Sequence, residues 1–176
     1  MSQNVRFFVR CAMFAALLCI ASLITFPIGP VPVSLGIFAV MLCGVVLPPL
    51  QAVVSVGVYL LLGLFLPLFS GGHTGITALP GPTGGYIWSY LLTVVIIALF
   101  CKIPARGRAA KLSFAFIGCL CGCMVCYLCG TLQYMLIAHV SFTAGAALCV
   151  YPFILPDALK IIGAVLIGTQ IKKILR

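Results

Sequence analysis

Acidic side chains are almost absent from this sequence. Asp157 is the only acid among 176 residues, and charged residues of both signs make up 6% of the chain. A soluble domain carries about 25% charged residues. Here hydrophobic residues make up 64% of the chain, and the mean hydropathy is +1.34. These values exclude a soluble enzyme, a disordered chain and a secreted disulfide scaffold, and they predict an integral membrane protein.

The shortage of ionisable groups also limits the possible chemistry. The chain has no Glu and only two widely separated histidines, His73 and His139. An intramembrane enzyme that depends on general acid–base catalysis is therefore not expected. The chain also lacks a G-x-x-x-x-G-K-S/T phosphate loop, so active uptake would need partner subunits or an ion gradient.

Long hydrophobic runs, separated by proline and glycine clusters, predict six transmembrane helices in one domain spanning residues 1–176. The predicted helices cover residues 5–26, 33–47, 50–69, 86–101, 112–140 and 153–175. Trp88 and Tyr90, near the start of the fourth helix, fit an interfacial aromatic belt. The predicted fold class is an all-α integral membrane protein.

The positions of the basic residues along the sequence predict the membrane topology. The net charge is +9, and nine of the ten basic residues form three clusters: Arg6 and Arg10; Lys102, Arg106, Arg108 and Lys111; and Lys172, Lys173 and Arg176. With six spans, all three clusters lie on one side of the membrane, and the positive-inside rule makes that side cytoplasmic. The sequence thus predicts a multi-pass protein of the cell membrane with both termini in the cytoplasm. No nucleic-acid partner is expected.

Two charged residues fall inside a predicted span. Asp157 and Lys160 lie three residues apart and so share one helix face, and Pro156 before them suits a first helical turn. A charge within a span costs at least about 2.5–3.5 kcal/mol, which favours a functional role. The pair predicts an outward-facing site for a small solute that carries N–H groups and a carbonyl or carboxylate. The structural alternative is that Asp157 complements the helix N-terminus and Lys160 extends towards the interface.

Further polar and glycine residues are predicted at the depth of this pair. They are Thr83, Gly84, Gly85 and Tyr86 at the start of helix four, and Gln133 and Tyr134 near the outer end of helix five. Gln133 and Tyr134 could equally form hydrogen bonds between helices. The uncharged, glycine-rich segment 70–85 is predicted to be a lid, with a mobile surface connection as the alternative.

Two motifs occur in combination: Gly81-Pro82-Thr83-Gly84-Gly85-Tyr86 before helix four, and Asp-x-x-Lys at 157–160 in helix six. With them the sequence resembles the biotin-transporter substrate-binding components (BioY), the S components of energy-coupling-factor (ECF) transporters. Segments 28–35, 59–63 and 66–72 extend the resemblance along nearly the whole chain. In one departure, Pro156 stands where the family often has Gly before the Asp.

The resemblance implies high-affinity capture of biotin from outside by a six-helix membrane protein. It implies docking onto a transmembrane coupling subunit and two ATPase subunits, with toppling of the S component to release biotin inside. Asp157 and Lys160 would then be polar anchors, and residues 83–86 would line the pocket. By chemical inference, Asp157 accepts from the ureido N–H groups and Lys160 binds a ligand oxygen. An S component for thiamin or riboflavin, and a membrane scaffold protein without a solute, remain alternatives.

Helix one carries a small-residue face that includes Ala12 and Ala16. Small residues four apart let another helix approach closely. In the resembled family a similar face contacts the coupling subunit, so these two alanines are docking candidates. Packing within the bundle is the alternative.

Ten cysteines are present, and five of them fall within helix five: Cys119, Cys121, Cys123, Cys126 and Cys129. On a continuous helix they spread around much of the circumference and cannot gather as a tetrahedral set. No metal, cluster or other cofactor is therefore expected. Thiols at membrane depth behave as small hydrophobic groups.

Overall fold

The computed structural model describes residues 2–26 and 31–175. Over these residues the chain forms eight helices and one short antiparallel hairpin. The elements are α1 (Gln3–Leu23), β1 (Thr25–Phe26), β2 (Val33–Ser34), α2 (Gly36–Val46), α3 (Pro49–Phe65), α4 (Gly75–Ala78), α5 (Gly84–Phe100), α6 (Arg108–Ala138), α7 (Phe142–Cys149) and α8 (Tyr151–Ile174). The prediction of an all-helical protein is confirmed, with the two-residue strands as a small addition.

Six of the helices correspond to the predicted spans. By length and composition α1, α6 and α8 are long and apolar enough to cross a membrane, whereas α2, α3 and α5 are apolar but shorter. The second predicted helix was placed too early, because Val33 and Ser34 are extended and pair with β1. At 1.5 Å per residue the 11 residues of α2 reach only about 16 Å.

The outer surface of the bundle is apolar. Large hydrophobic side chains such as Phe65, Leu136 and Ile174 are 76–83% exposed. Monomeric soluble proteins rarely expose contiguous apolar patches of this kind. A surface of this composition is suited to lipid.

Helix α2 lies at the centre of the bundle. Ten of its 11 residues are buried, as expected for a helix that is apolar on all sides. It packs against α1, α3, α5 and α8. The site-bearing helix α8 is therefore held against a rigid central element.

Several basic side chains form polar contacts with backbone carbonyls at one end of the bundle. This end holds both chain ends and is here called the termini end. The Arg10 guanidinium donates to the Leu175 carbonyl, and Lys172 Nζ lies 2.9 Å from the Val45 carbonyl oxygen at the end of α2. Lys172 and Lys173 stand in the last turn of α8, where they complement the helix dipole.

Helix α8 corrects one prediction. It begins at Tyr151 with a proline in its first turn, and Pro156 lies inside the helix. Asp157 is therefore in the second turn, and the expected first-turn position was wrong. Pro152 stands at the helix start, where a missing N–H leaves no intrahelical hydrogen bond unmade. Pro156 lies further in, and it removes the bond that an N–H there would donate to the Pro152 carbonyl.

The predicted loops also contain structure. Segment 141–152 includes helix α7, capped by Ser141, whose Oγ accepts from the Ala144 N–H at 3.4 Å. Segment 70–85 includes helix α4 and a turn at Gly71 and Gly72, both with positive φ. Residues 27–30 lie outside the described residues, and they include Ile28, Gly29 and Pro30 of segment 28–35. Arg176 of the C-terminal basic cluster lies outside them as well.

Candidate functional site

The two charges predicted to be intramembrane form a buried ion pair. Lys160 Nζ lies 2.7 Å from Asp157 Oδ1. Asp157 is 4% exposed and Lys160 is 9% exposed, so both side chains point into the bundle rather than towards lipid. Their spacing on α8 produces this contact directly, because residues three apart share a helix face.

Two other elements complete the polar network around the pair. The Tyr127 hydroxyl on α6 donates to Asp157 Oδ2 at 2.7 Å. Lys160 Nζ also donates to the Ser34 carbonyl oxygen on β2 at 2.8 Å. A buried charge is tolerated only when it is paired and hydrogen-bonded, and these contacts meet that requirement for both groups.

A cavity of about 50 Å³ adjoins the ion pair. Its walls come from the β2 segment, α2, α5, α6 and α8, together with Ser70 from the segment before α4. Of the predicted site residues, the structure brings Asp157, Lys160, Thr83 and Tyr86 to this cavity. Thr83 is the N-cap residue of α5, and the Tyr86 hydroxyl donates to the Cys149 carbonyl oxygen at 2.8 Å.

The two glycines that were predicted to line the pocket, Gly84 and Gly85, do not line this cavity. A Cβ added to Gly85 would lie 2.4 Å from the Cys129 carbonyl oxygen, and one added to Gly84 would lie 2.0 Å from the Leu79 carbonyl oxygen. Both glycines are buried, and neither is among the cavity-lining residues. Both glycines let α5 pack closely on its neighbours, and the expectation that they line the ligand pocket stays a prediction.

Gln133 and Tyr134 also lie outside the cavity lining. Gln133 Nε2 donates to the carbonyl oxygens of Leu79 and Gly81, at 2.7 and 2.9 Å. It therefore holds the turn that precedes α5. Tyr134 packs in a second hydrophobic cluster that includes Phe153.

Several lining residues were not singled out in the sequence. Tyr127, Ser34 and Ser70 were missed, and Tyr90 was assigned to an aromatic belt. That assignment was wrong, because Tyr90 is 6% exposed and stacks on Tyr59 with ring centroids 6.5 Å apart.

Ser70 Oγ is buried and has no hydrogen-bond partner among residues 2–26 and 31–175. An unpaired polar atom in a cavity wall can be satisfied by water or by a polar group of a ligand.

The cysteines give no metal centre within the described ranges. There, no group of three or more His, Cys, Asp or Glu side chains is placed to hold an ion, and all ten thiols are free. Cys126 lines the cavity and lies 3.1 Å from the Ser89 hydroxyl.

The predicted docking alanines lie on the outside of the bundle. Ala12 and Ala16 are both exposed, whereas Phe14, Ala15 and Leu18 form the buried face of α1. The alternative that the two alanines pack within the bundle was therefore wrong.

An apolar outer surface, six apolar helices and an enclosed ion pair beside a cavity define a class: a multi-pass membrane protein with a solute-binding site. The BioY family model matches residues 1–176, so the chain belongs to the BioY family.

Individual relatives agree with this membership. A probable biotin transporter BioY of Pyrococcus horikoshii is 37% identical over 162 residues, which cover 92% of this chain and 93% of the relative. The biotin transporter BioY of Thermotoga maritima is 30% identical over 169 residues, covering 94% and 95%. The crystal structure of an S-component for biotin from an ECF-type ABC transporter superposes with a TM-score of 0.86 at 27% identity, covering 98% of this chain and 95% of that one.

Proposed function

We propose that this protein takes up biotin as the membrane S component of an ECF-type transporter, capturing it on the outer side and releasing it to the cytoplasm. Membership of a family of transporters, not of enzymes, supports a binder that returns its ligand unchanged. The observation that carries the proposal is the buried Asp157–Lys160 pair beside a cavity.

The pair retains binding capacity for a ligand. A carboxylate has about four lone-pair sites, and Asp157 uses two of them, for Tyr127 and Lys160. An ammonium has three donors, and Lys160 uses two of them, for Asp157 and Ser34. Asp157 can thus accept from the ureido N–H groups of biotin while Lys160 donates to a ligand oxygen.

Biotin is larger than the present cavity, whose 50 Å³ would hold only a few water molecules. Binding therefore requires part of the wall to move outwards. Segment 70–83 suits this role, because Ser70 and Thr83 both line the cavity and Gly71 and Gly72 form a turn near one end of the segment. In this proposal the segment acts as a lid that closes over biotin.

The topology proposed for this function has six membrane-crossing helices, with both termini in the cytoplasm of a cell-membrane protein. Contacts at the termini end support it, because Arg10 on α1 meets the end of α8. Asp157 and Lys172 are 15 residues apart on α8, which is about 22 Å along the axis. The site therefore lies towards the opposite end, as outward capture requires.

The energy source and partners are also part of the proposal. A single transmembrane domain of residues 1–176 would dock onto a coupling subunit and two ATPase subunits through the exposed Ala12 and Ala16 face. Small side chains on an outward helix face permit close approach of a second helix within lipid. Toppling of the docked chain would then open the site to the cytoplasm.

Isothermal titration of the purified full chain in neutral detergent tests the function directly. We expect saturable biotin binding at submicromolar concentration and no competition by thiamin or riboflavin. Asp157→Asn and Lys160→Ala should each weaken binding by more than about 1 kcal/mol, since a desolvated charge loses its partner. Absence of heat at micromolar biotin would refute the substrate assignment. Wild-type affinity in both variants would show that the Asp157–Lys160 pair has a structural role only.

A further inference from the structure

A second and larger cavity lies at the termini end of the bundle. It has a volume of about 500 Å³ and is enclosed by residues 100–115, which link α5 to α6, and by the last turns of α8. It shares no lining residue with the cavity beside Asp157. The function proposed above makes no use of it.

The rim of this cavity is strongly basic. Five basic side chains line it: Lys102, Arg108, Lys111, Lys172 and Lys173. Lys172 and Lys173 bind the Val45 carbonyl oxygen and Gln170 Oε1, respectively. Across the two described stretches Lys102, Arg108 and Lys111 are exposed and contact no carboxylate. The only acidic side chain of the chain, Asp157, is about 22 Å away along α8, so Lys102, Arg108 and Lys111 can attract an anion at the rim.

The floor of the same cavity is apolar. Phe100, Leu112, Phe114 and Ala115 line it, and Ile103 both lines it and is 42% exposed. Beside it, Leu99 and Phe116 present large hydrophobic surfaces outwards. The site therefore offers cations at its rim and apolar side chains on its floor, and the residues that flank the floor in sequence expose hydrophobic side chains.

The geometry points to this cavity as a binding site for the phosphodiester headgroup of an anionic phospholipid, with the start of an acyl chain along Ile103 and Leu99. Basic pockets at the membrane boundary bind such headgroups, and each Lys or Arg near the surface strengthens the attraction. A free phosphate would use the rim alone. Only an amphiphile uses both the rim and the apolar floor.

The test uses the full chain in neutral detergent, titrated with phosphatidylglycerol or phosphatidylcholine and followed by native mass spectrometry of the retained lipid. We expect one phosphatidylglycerol to bind at least about tenfold more tightly than phosphatidylcholine. The double variant Lys111→Gln/Lys173→Gln should lose about tenfold or more of that affinity. Arg106→Gln removes one charge from the segment before α6 but outside the cavity lining; it is compared with the single variant Lys111→Gln and should change affinity less than about twofold.

Three results would overturn the assignment. Equal binding of the two lipids, or equal loss in Arg106→Gln and Lys111→Gln, would leave only a diffuse surface charge. Displacement of phosphatidylglycerol by an equal concentration of inorganic phosphate would assign the rim to free anions. Biotin titration of the same variants should be unchanged, which separates this site from the transport function.

Discussion

The Tyr127 hydroxyl on α6 donates to Asp157 Oδ2 on α8 across 2.7 Å. The bond joins two long helices at the cavity wall and orients the only acidic side chain in the sequence. Asp157 lines the cavity, and its two hydrogen bonds occupy only part of the acceptor capacity of the carboxylate. Tyr127 is thus a positioning residue for the proposed biotin site, and it can be tested without altering any charge.

Tyr127→Phe removes the donor and keeps the ring. We expect biotin affinity to fall by about 1 kcal/mol or more, because a buried charged acceptor loses a hydrogen bond that orients it. Isothermal titration measures the change. Tyr134→Phe is the matched control, since Tyr134 lies outside the cavity lining. Unchanged affinity in Tyr127→Phe would show that Lys160 alone orients the carboxylate.

Ser70→Ala tests the unpartnered hydroxyl in the cavity wall. Stability should be maintained or slightly improved, because a buried hydroxyl without a partner is removed. Biotin binding should weaken by about 0.5–1.5 kcal/mol if the ligand supplies the missing partner. Paired thermal unfolding and titration give the two readouts. Loss of stability without loss of affinity would contradict the role, and Ser55→Ala, at a buried serine outside the lining, is the control.

Substitutions at Asp157 and Lys160 can separate the contribution of the ion pair to stability from its contribution to biotin binding. Lys160→Met should destabilise the protein by about 3–5 kcal/mol, because it leaves a buried carboxylate without its cation. The double variant Asp157→Asn/Lys160→Met should regain most of that stability, since replacing both partners of a buried pair is often neutral. Biotin binding should remain lost in the double variant. Restored binding together with restored stability would show that the charges serve the fold only.

Gly85 tests the packing that positions Tyr86. In Gly85→Ala the new Cβ would lie 2.4 Å from the Cys129 carbonyl oxygen, so we expect a loss of about 1–3 kcal/mol from overpacking. The control is Gly57→Ala in α3, where no atom lies within 4 Å of the added Cβ and helix propensity favours Ala by about 1 kcal/mol. Thermal unfolding in detergent compares the two. Equal melting temperatures would show that α5 and α6 adjust without strain.

Ala16→Leu tests the proposed docking face. Biotin affinity of the isolated chain should be unchanged because Ala16 is exposed and remote from the cavity lining. Copurification with a coupling subunit, and uptake in cells, should both fall, since a larger side chain prevents close helix approach. Ala109→Leu, at another exposed alanine, is the control. Normal uptake by Ala16→Leu would exclude this face as the docking surface.

The sequence by itself predicted the six longer helices, but not α4 or α7, and it singled out the two charged residues that form the buried ion pair. The lengths of the apolar runs and the positions of proline and glycine predicted six helices with small errors at their ends. Asp157 and Lys160 could be paired from spacing alone, because a helix brings residues three apart together. Thr83 and Tyr86 were found through a local motif that opens α5.

Only the tertiary structure decided which groups from other elements contact the Asp157–Lys160 pair. Tyr127 is 30 residues from Asp157 in sequence, and Ser34 is 126 residues from Lys160, so no local periodicity relates them. Gly84, Gly85 and Gln133 belong to the same region but serve helix packing and the turn before α5, because proximity along a chain does not fix which side of a helix faces a cavity. Local sequence determines which residues share a face of a helix, whereas the packing of the helices determines which side chains from different helices meet.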